Sequence, residues 1–182
     1  MSTLPDKSIR ELCKNGLVQP CNFKNIESAS IDLHLGKSFL IIDERIQAYV
    51  SVKEEVKYQK VETYKDDEGE EFIIISPGEF MLATTYEWIN IPNNCKAQVE
   101  GRSSIGRIGL QIQNAGHIDP GFKGEITLEL KNDGPLPIRL YPGRRVCQLV
   151  IDLLDSECKS PYQGKYISQE GATGSRIDKD EN

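Results

Sequence analysis

The sequence predicts a mainly β protein, a sandwich or barrel of short strands. Three observations carry that prediction. Residues 30–36 and 124–131 alternate polar and apolar with a period of two, as half-buried strands do. Turn signals recur between the apolar runs, at Asn93-Asn94, Asp119-Pro120-Gly121, Asp133-Gly134-Pro135 and Tyr141-Pro142-Gly143. Helical periodicity is confined to one short segment near the N-terminus.

That segment runs from Ser8 to Gly16. Ser8 and Glu11 have the spacing of a capping box, Ile9, Leu12 and Cys13 share a face, and Gly16 supplies the stop. Strands are then expected over 30–36, 39–42, 72–75, 80–84, 97–100, 124–131, 137–140 and 145–153. The charged stretch from Lys53 to Glu71, with 65–71 at its tip, reads as an exposed hairpin or loop. From Pro161 the chain turns polar and Gly-rich, through Gly171-Ala172-Thr173-Gly174-Ser175-Arg176. Such a tail is either disordered or closes over a site. The expected organisation is a β domain over 1–160 and a lid or tail over 161–182, with no internal repeat.

A length of 182 residues suits one domain with a sizeable core. A net charge of −6 argues against a broad basic surface for nucleic acid, yet it allows a local basic pocket for a small anion. The stretch Met1–Arg10 is polar, and no apolar run approaches the roughly 18 residues needed to span a bilayer. A cytoplasmic protein without a membrane partner is expected. Five scattered cysteines form no Cys-x-x-Cys pair, and only His34 and His117 are at hand to complete a ligand set. No zinc site is expected; reduced cysteines acting as small core residues fit better.

Three constellations can carry chemistry. Gly101-Arg102-Ser103-Ser104-Ile105-Gly106-Arg107 combines close backbone approach, hydroxyl donors and two guanidinium forks suited to phosphate oxygens. By itself it is equally an ordinary polar turn. In Asn114-Ala115-Gly116-His117-Ile118-Asp119-Pro120-Gly121-Phe122-Lys123-Gly124, Asp119 can accept from a sugar 3′-hydroxyl while the Phe122 ring packs beneath a deoxyribose. Alone, this motif reads as a plain β-turn. Glu129 is an acid in mid-strand, on the face of Thr127 and opposite Leu128 and Leu130. Such an acid usually meets solvent. If the face lines a closed pocket instead, desolvation lifts its pKa into a range useful for proton transfer.

In this order the three constellations closely resemble the dCTP deaminase branch of the dUTPase superfamily. Residues 30–36, Pro142-Gly143 with Gln148-Leu149, and the run from Tyr162 to Ala172 add to the likeness, which covers nearly the whole chain. The resemblance implies a distorted β-barrel of jelly-roll type and a homotrimer with active sites between subunits. It implies a nucleoside triphosphate substrate, dCTP with dUTP possible, that carries Mg²⁺ on its phosphates. It further implies Glu129 as the catalytic base, aided by Ser103, Arg107 and Asp119. Binding would involve Arg102 and Ser104 on phosphate, Ile105, Gly106, Phe122, Thr127, Leu128 and Gln148 around the nucleotide, and Tyr162, Lys165 and Gln169 from the tail.

Simple dUTPases resemble this chain around Gly-Arg-Ser-Ser but have an apolar residue where Glu129 stands, so Glu129 favours a deaminase. Members that go on to dUMP resemble this chain in having a small residue at Gly116 and in Gln148. A loop from Leu110 to Asp119 one residue shorter than in purely deaminating members points the same way. His117 departs from that pattern, in which Trp or Phe is commoner. Two alternatives stand beside this reading: a dUTP diphosphatase without deaminase activity, and a catalytically silent trimeric nucleotide-binding module.

Overall fold

The computed structural model describes residues 2–112 and 116–180. In chain order the elements are β1 (Ser2–Thr3), α1 (Asp6–Lys14), β2 (Val18–Gln19), β3 (Ile31–Ile42), β4 (Tyr58–Lys60), β5 (Tyr64–Lys65), β6 (Glu71–Ile75), β7 (Phe80–Asn90) and β8 (Cys95–Gly101). After them come α2 (Ser103–Gly106), β9 (Leu110–Ile112), β10 (His117–Ile118), β11 (Lys123–Asn132), β12 (Ile138–Leu140) and β13 (Arg145–Leu153). One-turn 3-10 helices lie at Phe23–Asn25 and Ile177–Lys179. Among the described residues no helix is long and apolar enough to cross a membrane.

The mainly β class expected from alternation is what forms. Ten strands make one curled antiparallel sheet whose main path is β10-β8-β13-β3-β7-β11-β9, and β12-β6-β5 make a second sheet of three. Ile31, Leu33, Leu35, Phe39, Met81, Ile89 and Leu110 of the large sheet share one core with Ile73 and Ile75 of the small one and with Ile9 of α1. Burial of such aliphatic side chains is the main driving term, about 1.5–3 kcal/mol each. Cys13, Cys95 and Cys147 are buried in the same core, and all five thiols are free.

The N-terminal helix differs from expectation at its start. It begins at Asp6, two residues before Ser8, and the Pro5 carbonyl accepts from the Ser8 and Ile9 amides. Ser8 is therefore inside the first turn and makes no capping box. Proline has no N–H to leave unpaired, which makes Pro5 a suitable boundary residue. The far end matches the expected stop. Gly16 has φ +88°, its N–H reaches the Cys13 carbonyl, and the Leu17 N–H reaches that of Leu12, the paired bonds of a Schellman ending.

Two expected strands, 30–36 and 39–42, are one strand, β3, broken by a bulge. Between Leu35 and Phe39 it spends four residues where β7 spends two, from Thr85 to Ala83. Gly36 sits in the bulge, where a Cβ would fall 2.6 Å from the Thr84 Cγ2 and 2.8 Å from the Thr85 carbonyl oxygen. Nor is β3 half-buried as its alternation suggests, because Asp32 is as buried as the neighbouring Ile31 and Leu33. Its polar groups are satisfied by neighbours: Asp32 by Arg145 and Gln148 of β13 and by Arg102 just after β8, and His34 by Glu87 of β7. The charged stretch forms the expected hairpin of β5 and β6, its tip held by Asp66, which accepts from the Glu68 and Glu70 amides.

The two sheets are tied by Asn132, fully buried at the end of β11. Its amide nitrogen donates to the Ile75 carbonyl at 2.9 Å and the Leu136 carbonyl at 2.8 Å, while its oxygen accepts from the Gly134 N–H at 2.9 Å. Asn132→Ala leaves these groups without partners in a dry setting. It should lower stability by about 1–3 kcal/mol, read as a shift of the urea midpoint with little change in slope. No shift would mean that water replaces the amide at no cost.

Candidate active site

The strand β11 is seated between β7 and β9, and its burial alternates along its length. Ile126, Leu128 and Leu130 enter the core, so Glu125, Thr127 and Glu129 share the opposite face. Across from Glu129 lies Leu82 of β7, and Phe80 is opposite Lys131. The Glu129 side chain is thus bordered by hydrocarbon. Among the described residues it has no ion-pair partner, and burial alone pushes its carboxyl above the usual carboxylate range.

This face is one wall of a cavity of about 550 Å³. A second wall is the turn that carries Asp119 and Phe122, and a third is the tail, through Tyr162, Gln169 and Thr173. The volume suits a small organic ligand, and the lining is largely apolar with a few convergent polar groups. The turn is tight. Gly121 has φ +84°, its N–H meets the Ile91 carbonyl, and the Phe122 N–H meets that of Asp119. The ring of Phe122 lies 6.0 Å from that of Tyr162, so turn and tail close on each other. Asp119 itself stays exposed beside His117, with 3.2 Å between Oδ1 and Nε2.

The structure therefore gathers Asp119, Phe122, Thr127, Leu128, Glu129, Tyr162 and Gln169 around one cavity. It does not bring the Gly-Arg-Ser-Ser segment there. Ser103, Ser104, Gly106 and Arg107 are exposed on and after α2, and Ile105 packs its side chain against the core. None of the five lines the cavity of its own protomer. Lys165 is likewise turned away, donating to the Arg176 carbonyl and paired with Asp180, a pairing that raises its pKa. The Asn114-Ala115 start of the second motif lies outside the described residues, as does part of the loop between Leu110 and Asp119. Gly116 has a packing reason of its own: a Cβ there would sit 2.7 Å from the Val99 carbonyl oxygen of β8.

Arg102 and Gln148 meet at a second centre, which reasoning from sequence misses. Asp32, with no side-chain exposure, accepts from Arg145 Nη1 at 3.0 Å and Gln148 Nε2 at 3.1 Å, and it is ion-paired with Arg102, whose Nε lies 3.2 Å from Oδ2. Two guanidiniums thus converge on one carboxylate beside Ser103. A nearby pair is His34 with the buried Glu87, which also accepts from the His34 amide at 2.9 Å. The only sequence trace of either is an acid and a histidine on the polar side of an alternating strand. Among the described residues, no group of three or more His, Cys, Asp or Glu side chains converges as a protein-held metal would need.

Known proteins resemble this chain in sequence and in fold. The model of a family described as dCTP deaminase-like matches residues 3–154. The dCTP deaminase, dUMP-forming, of Persephonella marina is 46% identical over 181 residues, covering 97% of this chain and 99% of the relative. That of Sulfurihydrogenibium sp. is 46% identical over 176 residues, 96% of each. Among solved structures, the 2'-deoxycytidine 5'-triphosphate deaminase from Agrobacterium tumefaciens matches with a TM-score of 0.62 at 17% identity. That match covers 82% of this chain and 47% of the other, so the chain spans about half the length of that structure. At that identity it speaks for the fold.

The raised pKa of Glu129 has a consequence for stability. The folded chain holds this proton more tightly than the unfolded chain, so protonation favours folding. That contribution is fully present below the unfolded pKa and is lost as pH rises through the higher folded value. Glu129→Gln stays neutral throughout. Relative to wild type, the variant should gain stability as pH climbs through that window and gain none below it. Urea unfolding at a series of pH values checks this, and a difference independent of pH would contradict it.

Proposed function

We propose, because the chain belongs to the dCTP deaminase-like family, that it hydrolyses the 4-amino group of dCTP and carries the product on to dUMP. The observation that carries this reading is Glu129: a carboxylate with a raised pKa and, among the described residues, no ion-pair partner, facing a partly open cavity of ligand size. Deamination adds water at the 4-carbon of cytosine and expels ammonia, giving dUTP. One group must take a proton from water and hand it on toward the ring and the departing nitrogen. A half-buried carboxyl poised above its ordinary range can do both. The base must start ionised, so turnover falls as pH drops through the raised Glu129 pKa.

The other residues have supporting parts. Phe122 offers a ring beneath the deoxyribose and Asp119 an acceptor for its 3′-hydroxyl. Tyr162 and Gln169 bound the cavity from the tail, which acts as a lid over 161–182 on the domain formed by 1–160. Exposure of Ser103, Ser104 and Arg107 away from their own cavity supports a homotrimer in which they serve a neighbour's site. There Arg102 and Ser104 would meet phosphate while Ser103 and Arg107 approach the reacting base. Mg²⁺ belongs to the substrate in this scheme, riding on the triphosphate and offsetting its charge.

The second step is hydrolysis between the α- and β-phosphates, which converts dUTP and water into dUMP and diphosphate. Asp119 is the exposed acid at the cavity edge and is best placed to orient that water. The relatives' dUMP-forming activity supports this step.

The direct test is incubation with dCTP and Mg²⁺, following ammonia and separating nucleotides by anion exchange. Ammonia should appear with dUMP and diphosphate in equal amounts; dUTP without diphosphate would refute the second step and leave the first standing. Glu129→Gln should lower ammonia release by about 10²–10⁴-fold with nucleotide binding retained, and a variant keeping over half of wild-type turnover would sink the assignment. Mixing inactive Glu129→Gln with inactive Arg107→Ala protein should restore partial activity through mixed trimers. Subunit exchange seen by mass spectrometry without recovery would count against a shared site.

A further inference from the structure

The tail is held over the cavity by four side chains, of which the functional reading uses only Thr127. Three successive N–H groups fan out to three acceptors. That of Gly171 reaches Glu125 Oε2 at 2.6 Å, that of Ala172 reaches Ser38 Oγ at 3.0 Å, and that of Thr173 reaches Thr127 Oγ1 at 3.1 Å. The Ser175 N–H then reaches the Tyr58 hydroxyl at 3.2 Å. Gly171 makes the fan possible with φ +69°, a region that favours glycine. Ser38 is available because the β3 bulge falls between Leu35 and Phe39.

Of these four acceptors only Glu125 is charged. Its Oε2 also receives the Thr84 hydroxyl at 3.2 Å. Its backbone is engaged as well, its N–H with the Gln169 carbonyl at 3.0 Å and its carbonyl with the Gln169 amide at 2.8 Å. Residue 125 thus clamps the tail at three points, and one of them is a carboxylate bond, about twice as strong as a neutral one. Beyond the clamp the tail becomes cavity wall: Thr173, Gly174 and Ser175 all face the space that Glu129 faces.

We propose that the Glu125 carboxylate, through its bonds to the Gly171 N–H and the Thr84 hydroxyl, is a positioning residue that sets the 171–175 strap over the cavity and keeps the free enzyme in its binding-competent form. This rests on the reading of the cavity as the dCTP site. Glu125 does not touch the reacting atoms. Its effect comes through the population of the closed strap. Apparent affinity is scaled by the fraction of molecules in the competent form, whereas turnover at saturation is spared once substrate has drawn the strap shut.

The test is the full-length protein with Glu125→Ala and Glu125→Gln, read in two ways. Without nucleotide, amide hydrogen exchange at Gly171 to Thr173 should quicken by about tenfold or more in Glu125→Ala, while the Thr127 to Leu130 amides stay as protected as in wild type. With dCTP, KM should rise by about tenfold and kcat stay within about twofold. Glu125→Gln keeps an acceptor oxygen without the charge and should fall between the two. It also serves if the alanine variant fails to fold. Unchanged exchange at Gly171 overturns the proposal. So does faster exchange with unchanged KM, and so does a loss confined to kcat. Wild-type protein that releases no ammonia from dCTP would instead sink the functional reading, and the exchange data would still decide whether Glu125 holds the strap.

Discussion

The seating of β11 between β7 and β9 is the constraint on which the rest of the site depends. Because alternate residues of a strand point to opposite faces, burying Ile126, Leu128 and Leu130 leaves Glu125, Thr127 and Glu129 no choice of side. A one-residue slip would turn Glu129 toward the core. The aliphatic set fixes the register, and the polar set inherits its place. Glu125 at one end accepts from the Gly171 N–H, Thr127 accepts from the Thr173 N–H, and Glu129 is left beside Leu82 with no ion-pair partner among the described residues. On the proposed function, one strand therefore supplies both the proton-transfer group and the anchor for the strap beside it.

Much of this is legible in the sequence because period-two alternation is a direct imprint of a two-faced strand. Residues 124–131 and 145–153 read nearly as they fold, and the gathering of Asp119, Phe122 and Glu129 agrees with the order of the motifs. The failures have physical causes. A capping box requires only a spacing, and the spacing at Ser8 and Glu11 is satisfied inside a helix that Pro5 has already begun. Alternation cannot tell a solvated polar face from one covered by other polar side chains, which is why the buried state of Asp32 is invisible in it. Arg102, Arg145 and Gln148 lie far from Asp32 in sequence, and only the packing of β8 and β13 beside β3 brings them together. The tail is the least legible part, since its contacts are backbone amides to side chains and carry no hydrophobic signature.

The same covering of β3 explains how a chain of net charge −6 can present a basic site. Asp32 is fully enclosed, and leaving a carboxylate so placed without partners would be strongly destabilising. Arg102 and Arg145 satisfy it while part of each guanidinium remains accessible. The ion pairs add little net stability by themselves, but they hold two flexible side chains in one arrangement. Arg102 stands immediately before Ser103 and α2, so this rigid basic corner and the exposed hydroxyls are continuous. An anion meeting that corner finds donors whose positions are already fixed, which reduces the ordering cost of binding.

Taken with the cavity, that corner divides the chemistry in two. On the proposed function, proton transfer falls to a half-buried, apolar wall where a carboxyl is kept above its ordinary range, and anion binding to an exposed edge where guanidiniums are held by a buried acid. The two demands conflict within one pocket, because arginines near Glu129 would pull its pKa down and remove the property that makes it useful. Placing Arg102 and Arg107 off the cavity of their own protomer relieves the conflict in the free chain. In an assembly where a neighbour's α2 completes the site, the positive charge would arrive together with the triphosphate that offsets it. Glu129 would then keep a desolvated setting at the moment of reaction.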